Sequence, residues 1–147
     1  MRAGTTLWDA EVVLSHVLES DGVRGSVIEL GAGSGLAAMV CSRLGCSVTA
    51  QELSEVLPHT KAVFSRNNVA ATFVSATWGC DFIEQVYNLR PFDNIIMSDV
   101  LYHCADFDDL ISSIRSCSTI GTKIYVSFEQ RRKNLDDFFD KLQKCFS

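Results

Sequence analysis

Proline, paired cysteine and long apolar runs are all scarce in this 147-residue sequence, which contains only two prolines. No stretch approaches the roughly 18 apolar residues of a membrane span, and residues 1–6 lack the apolar run of a secretory signal. The hydrophobic fraction of 47% is enough for one core. We therefore expect a single domain over residues 1–147, located in the cytoplasm or nucleus, with no membrane partner. Nothing in the sequence indicates an oligomeric state.

Cysteine pairs and positive charge are also in short supply. The six cysteines include no C-x-x-C pair, and most lie in apolar segments where a reduced thiol packs as a small hydrophobic group. We expect neither a disulfide nor a metal site. The net charge of −5 disfavours binding to a phosphate backbone, so nucleic acid is not the expected partner. An acidic surface suits a protein substrate that bears an exposed lysine.

Apolar periodicity alternates between strand and helix patterns along the chain. Helices are predicted at 8–19, 36–44, 55–67, 106–117 and 135–145, and strands at 26–30, 47–51, 72–75, 92–97 and 122–128. This alternation is typical of right-handed β-α-β units. It predicts an α/β, Rossmann-like fold: an open parallel sheet in the order 3-2-1-4-5, flanked by helices.

A glycine loop, Gly31-Ala32-Gly33-Ser34-Gly35, leaves the first predicted strand and opens a helix. Glycines allow a tight turn and a close approach of the backbone to a ligand, although they also serve plain turns. Glu52 ends the second strand about 20 residues further on, where a carboxylate can hold both hydroxyls of a ribose. The dinucleotide fingerprint would need a glycine at Leu36, and no G-K-[ST] follows. The pattern predicts a ribose-bearing cofactor other than NAD.

Five segments together resemble the seven-strand, S-adenosylmethionine-dependent lysine methyltransferases often called family 16. Residues 7–14 are similar to the family's "vWdaaivL", residues 27–36 to "viELGAGtGl", and Trp78-Gly79 to "dWG". Residues 98–102 resemble the D-x-x-Y motif, and residues 128–131 resemble "yEqR". The resemblance runs from about Leu7 to Phe139. It implies S-adenosylmethionine as cofactor and the lysine side chain of a protein as acceptor.

Particular site residues follow from the resemblance. It implies catalytic roles for Asp99 and Tyr102 and a substrate-binding role for Glu129. Cofactor contacts are implied for Trp8, Gly31, Ala32, Gly33, Gly35, Glu52, Trp78 and Ser98. Plainer interpretations stay open: core packing for either tryptophan, a helix N-cap for Asp99 and an ordinary loop position for His103.

Methyl transfer to an amine depends mainly on orientation, because the sulfonium is already a good leaving group. A lysine with a pKa near 10.4 needs about 4.6 kcal/mol to be neutral at pH 7. Desolvation and the sulfonium charge lower that pKa, whereas a nearby Asp99 raises it. We therefore expect Asp99 to capture and orient the amine, and Tyr102 to line the channel.

The sequence also departs from the family. Glu52 follows Gln51 where relatives usually carry Thr-Asp. Only five strands are predicted, so we expect a chain shortened at both ends, without the family's final antiparallel hairpin. The expected substrates are chaperones, AAA-type ATPases or translation factors. Two alternatives remain: a methyltransferase acting on a small molecule or nucleic acid, and a scaffold module that binds the cofactor without turnover.

Overall fold

Eleven helices and strands alternate along the computed structural model, which describes residues 6–101, 107–129 and 135–146. The strands are β1 (Ser26–Leu30), β2 (Ser47–Glu52), β3 (Thr72–Ser75), β4 (Asn94–Ser98) and β5 (Lys123–Ser127). The helices are α1 (Asp9–Asp21), α2 (Leu36–Arg43), α3 (Leu57–Arg66), α4 (Cys80–Val86), α5 (Asp108–Cys117) and α6 (Leu135–Phe146).

The five strands form one sheet in the order β3-β2-β1-β4-β5, and every neighbouring pair is parallel. The predicted fold class and strand order are therefore confirmed. Because β1 lies between β2 and β4, the order of the strands reverses beside it. Ligands of open parallel sheets bind at the carboxyl ends of the strands near such a reversal.

Each face of the sheet carries its own hydrophobic core. Alternate residues of β4 divide between them: Ile96 packs with side chains of α1, α2 and α3, whereas Ile95 and Met97 pack with those of α4, α5 and α6. Strand side chains point to opposite faces in turn, so a sheet covered on both sides needs consecutive apolar residues in its central strands. The run Ile95-Ile96-Met97, fully buried, meets that requirement.

Helix α4 is the one described element that the sequence analysis missed. It has only seven residues, Gly79 precedes it with a φ of 99°, and no side chain of its own caps its first turn. The usual start signals are therefore absent. Its buried Phe82 and Val86, four positions apart, are the pattern that could have revealed it. Among the described residues, no helix is long and apolar enough to cross a membrane.

Candidate functional site

The glycine loop lies between β1 and α2, at the centre of the sheet's carboxyl edge. Gly31, Gly33 and Gly35 have φ values of 67°, 54° and 72°, a left-handed conformation that other residues adopt at a cost. Two of these glycines also face close neighbours. A Cβ at Gly31 would come within 2.8 Å of Val100 Cγ1, and one at Gly35 would collide with the ring of Phe64. The glycines here are required by backbone shape and by packing.

The last two residues of β2 hold this loop through their side chains. Gln51 Oε1 accepts the Gly31 N–H at 3.0 Å, and Glu52 Oε2 accepts the Gly33 N–H at 2.9 Å. Glu52 Oε1 accepts the N–H of Leu53 at 2.8 Å. Its carboxylate therefore fixes the backbone at two points, Gly33 in the glycine loop and Leu53 after β2.

Two buried carboxyl groups accept hydrogen bonds from backbone N–H groups in the first turn of α2. Glu11 reaches across from α1, accepting the Leu36 N–H at 2.7 Å and the Ser34 hydroxyl at 2.8 Å. Glu29, from β1, accepts the Ala38 N–H at 3.0 Å and is completely buried. Burial raises the pKa of Glu11, and burial together with the charge of Glu11 raises the pKa of Glu29 well above its usual range.

Trp78 stands at the next position along the same edge, between β3 and α4. Its indole N–H donates to Gln51 Oε1 at 3.0 Å, and the ring is half-buried beside Gly31. Trp8 precedes α1, and its carbonyl accepts the Glu11 N–H at 3.0 Å. Both tryptophans therefore lie next to segments that shape the glycine loop.

Asp99 follows β4 directly and is 5% exposed, with a φ of 52°. Its N–H donates to the Ser127 carbonyl at 2.7 Å, and its Oδ1 lies 3.5 Å from the donating N–H of Glu129. Val100 and Leu101, which follow, are not helical, so the N-cap interpretation of Asp99 is wrong. An aspartate in a left-handed backbone conformation is uncommon, and such residues concentrate at functional sites.

The structure brings most of the predicted residues together. The carboxyl ends of the strands carry the glycine loop with Ala32, Glu52 at the end of β2, and Trp78. They also carry half-buried Ser98 at the end of β4, Asp99 and the exposed Glu129. Tyr102 and His103 lie outside the described residues, as do Gln130 and Arg131 of the "yEqR" segment.

The donors at this edge distinguish between cofactor classes. In a dinucleotide site the first turn of the helix and the glycine loop offer backbone N–H groups to a pyrophosphate. Here the N–H groups of Leu36 and Ala38 already donate to carboxyl groups, and those of Gly31 and Gly33 donate to Gln51 and Glu52. An edge lined by carboxyl groups fits a cofactor with a ribose diol and a cationic sulfonium, and it does not fit a pyrophosphate.

Comparison with known proteins agrees with this chemistry. The family model described as lysine methyltransferase matches residues 2–145. Protein N-lysine methyltransferase METTL21A of Mus musculus is 31% identical over 96% of this chain and 67% of its own length. Protein-lysine methyltransferase METTL21E of Bos taurus is 29% identical over 97% of this chain and 53% of its own. The chain thus spans about half to two thirds of these relatives.

Solved structures share the fold. A TehB-like SAM-dependent methyltransferase from Corynebacterium glutamicum has a TM-score of 0.71 at 17% identity, over 90% of this chain and 71% of its own. The glycopeptide N-methyltransferase MtfA complexed with sinefungin has a TM-score of 0.61 at 22% identity, over 81% and 54%. The fold is that of S-adenosylmethionine-dependent methyltransferases. Within that class, the chain belongs to the lysine methyltransferase family. The predicted family, enzyme class and cofactor are confirmed.

Three residues that shape the site escaped the sequence analysis: Gln51, Glu11 and Glu29 were not identified as parts of it. Glu11 carried a usable signal, because it shares one face of α1 with the buried residues Leu14, Ser15 and Leu18. A glutamate on the buried face of a helix needs a hydrogen-bond partner there. No sequence pattern pointed to Gln51, because the groups that its amide can reach are determined by the fold.

Proposed function

We propose that residues 1–147 form one methyltransferase domain that holds S-adenosylmethionine at the carboxyl edge of β1, β2 and β4 and transfers its methyl group to a protein lysine. The observation that carries the proposal is the contact between the two motifs. Val100 packs against Gly31, so the segment that starts at Asp99 lies directly on the glycine loop. A catalytic carboxylate and a cofactor loop must be neighbours for methyl transfer.

Each cofactor contact has its own support. Glu52 is assigned to the ribose hydroxyls, because it is a carboxylate at the end of β2 that lies directly beside the glycine loop. The half-buried ring of Trp78 is assigned to the adenine. Gly31 and Gly33 approach the cofactor by backbone, and Ala32 and Gly35 shape that backbone. Ser98, the last residue of β4, and Trp8, which precedes α1, are assigned to the cofactor from the family resemblance of their segments.

Asp99 is assigned to the acceptor. When bound, the cofactor supplies an activated methyl group on a cationic sulfur. The chain must then hold an amine in line with that methyl group and keep water away from it. A carboxylate that is 5% exposed attracts the ammonium form of lysine and fixes the direction of its nitrogen. Glu129, exposed after β5, is assigned to the substrate, and Tyr102 to the channel wall.

Asp99→Asn tests the catalytic assignment. Asparagine keeps the side-chain shape and tolerates the left-handed backbone, so the fold should survive. We expect single-turnover transfer to a protein acceptor to fall by about 100-fold or more, while the affinity for S-adenosylhomocysteine stays within about three-fold. Transfer by the variant at the wild-type rate would remove Asp99 from catalysis.

The acceptor is proposed from the relatives and from charge. METTL21A and METTL21E are named as lysine methyltransferases of proteins, and the net charge of −5 favours a lysine-bearing partner. Chaperones, AAA-type ATPases and translation factors of the cytoplasm or nucleus are the proposed substrates. Incubating the chain with isotopically labelled S-adenosylmethionine and cell extract separates the alternatives. We expect labelled protein bands; labelled small molecules or nucleic acid, or binding without transfer, would contradict the proposal.

A further inference from the structure

Gln51 has a side chain whose polar atoms are all used at one point of the site. The residue is 2% exposed and occupies the next-to-last position of β2. Its Oε1 accepts two hydrogen bonds, from the Gly31 N–H and from the indole N–H of Trp78, both at 3.0 Å. Its Nε2 donates to the Ala76 carbonyl at 2.7 Å.

Through these three contacts, Gln51 connects the loop that follows β1 with the loop that follows β3. Gly31 follows β1, whereas Ala76 and Trp78 follow β3, and β2 lies between those two strands. One amide therefore fixes the glycine loop relative to the tryptophan. A shorter side chain at position 51 could not reach both sides.

We infer that Gln51 is a positioning residue of the cofactor site: its amide sets the spacing between the glycine loop and Trp78, so that the surfaces for ribose and adenine exist before the cofactor arrives. A site that is ordered in advance avoids the entropy loss of ordering it on binding, and its affinity is higher for that reason. The inference rests on the proposed function, because it needs the cofactor to lie between these two segments.

Gln51→Met is the direct test. Methionine has a similar length and volume, but its thioether is only a weak acceptor for the two N–H groups and cannot donate to Ala76. The matched control is Asn94→Leu. Asn94 is a second buried amide, 4% exposed, whose Nδ2 donates to the Arg24 carbonyl at 2.8 Å at the opposite edge of the sheet. Both variants lose buried amide hydrogen bonds, but only Gln51→Met loses them at the proposed cofactor site.

The readout is the dissociation constant for S-adenosylhomocysteine by calorimetry. We expect Gln51→Met to weaken binding by about ten-fold or more, and Asn94→Leu to change it by less than about two-fold. Unchanged binding in Gln51→Met, or an equal loss in both variants, would show that Gln51 serves the fold alone. If wild-type protein binds no cofactor, the proposed function itself fails, which is a different result.

A spectroscopic readout and a second variant cover the case in which Gln51→Met does not fold. The chain has only two tryptophans, so the indole N–H signal of Trp78 can be assigned with a Trp78→Phe variant. In the protonated form that burial favours, Gln51→Glu keeps an acceptor for Gly31 and Trp78 and a donor for the Ala76 carbonyl. We expect Gln51→Glu to retain slow hydrogen exchange at that indole and affinity within about three-fold of wild type. Fast exchange or a ten-fold loss in Gln51→Glu would overturn the inference.

Discussion

Glu29 has a carboxyl group with no access to solvent, and one of its two oxygens, Oε1, has no hydrogen-bond partner among the described residues. Burial and the carboxyl groups of Glu11 and Glu52 hold its pKa well above the ordinary value of 4.5. In the folded chain Glu29 therefore keeps its proton at pH values where the unfolded chain has lost it. A protonated Glu29 removes a charge that would otherwise be buried beside two other carboxyl groups.

This protonation predicts how stability depends on pH. From about pH 4.5 up to the raised pKa, the folded state binds more protons than the unfolded state, so the contribution of Glu29 to stability falls as pH rises. Glu29→Gln removes that dependence. We expect the free energy of unfolding of the variant, relative to wild type, to increase with pH across this window. Urea titrations at several pH values measure it, and a difference that is constant or decreasing would contradict the assignment.

Some of the acidic residues at the site could be predicted from the sequence, and others could not. Glu52 was found because it follows directly on the predicted strand 47–51, and position alone brings such a side chain to the sheet's edge. Asp99 was found through the resemblance of residues 98–102 to the D-x-x-Y motif. Glu11 lies on a helix, and its distance from Leu36 depends on how α1 packs against α2. Periodicity shows which face of a helix is buried, but it does not show which backbone group that face will meet.

At the scale of elements, α2 begins in an unusual way. Its N-cap is Gly35, which has no side chain, so α1 and β1 supply the capping groups through Glu11 and Glu29. The start of this helix is therefore a tertiary feature. The strands, by contrast, are encoded locally. Predicted and observed bounds agree fully for β1 and β3 and differ by at most two residues for β2, β4 and β5.

Glycine substitutions at the end of α1 and at the start of α2 separate the cost of backbone strain from the cost of overpacking. Gly22, the C-cap of α1, has a φ of 61° and nothing within 4 Å of an added Cβ, whereas Gly35 has a φ of 72° and faces Phe64. We expect Gly22→Ala to cost about 1 kcal/mol, from the left-handed conformation alone. Gly35→Ala should cost at least about 2 kcal/mol more, because overpacking is added. Denaturant unfolding measures both, and equal losses would show that Phe64 moves aside freely.

At the scale of the whole molecule, cofactor binding should raise thermal stability. A ligand at about 100 times its dissociation constant stabilises the folded state by about 2.7 kcal/mol. In a chain of about 150 residues that corresponds to a rise in Tm of about 5 to 10 °C. We expect this shift with S-adenosylhomocysteine and none with NAD. Glu52→Ala should need more ligand for the same shift, since its affinity is expected to fall by about 1–3 kcal/mol. A comparable shift with NAD would contradict the cofactor assignment at this edge.

The layered architecture also explains why the strand order was easier to predict than the side-chain contacts within the site. Alternating apolar segments specify layers, and a parallel sheet with helices on both sides has few allowed connections. The strand order therefore followed from the sequence pattern. The network of Gln51 did not, because it joins β2 to two loops that are distant in sequence and depends on side-chain reach within the assembled sheet.

The exposure of Cys80, at the start of α4, bears on how the protein can be chemically labelled. Burial raises the pKa of Cys41 to about 12 and that of Cys117 to about 11, so both stay protonated and inert towards maleimides at neutral pH. Among the described cysteines, Cys80 is the exposed one, two positions beyond Trp78. With Cys104 and the half-buried Cys145 replaced, a maleimide dye will attach at Cys80, beside the adenine side of the proposed site, where its emission can follow cofactor exchange. A probe meant to leave that site undisturbed belongs at Ile120, which is fully exposed in the turn between α5 and β5, at the opposite edge of the sheet.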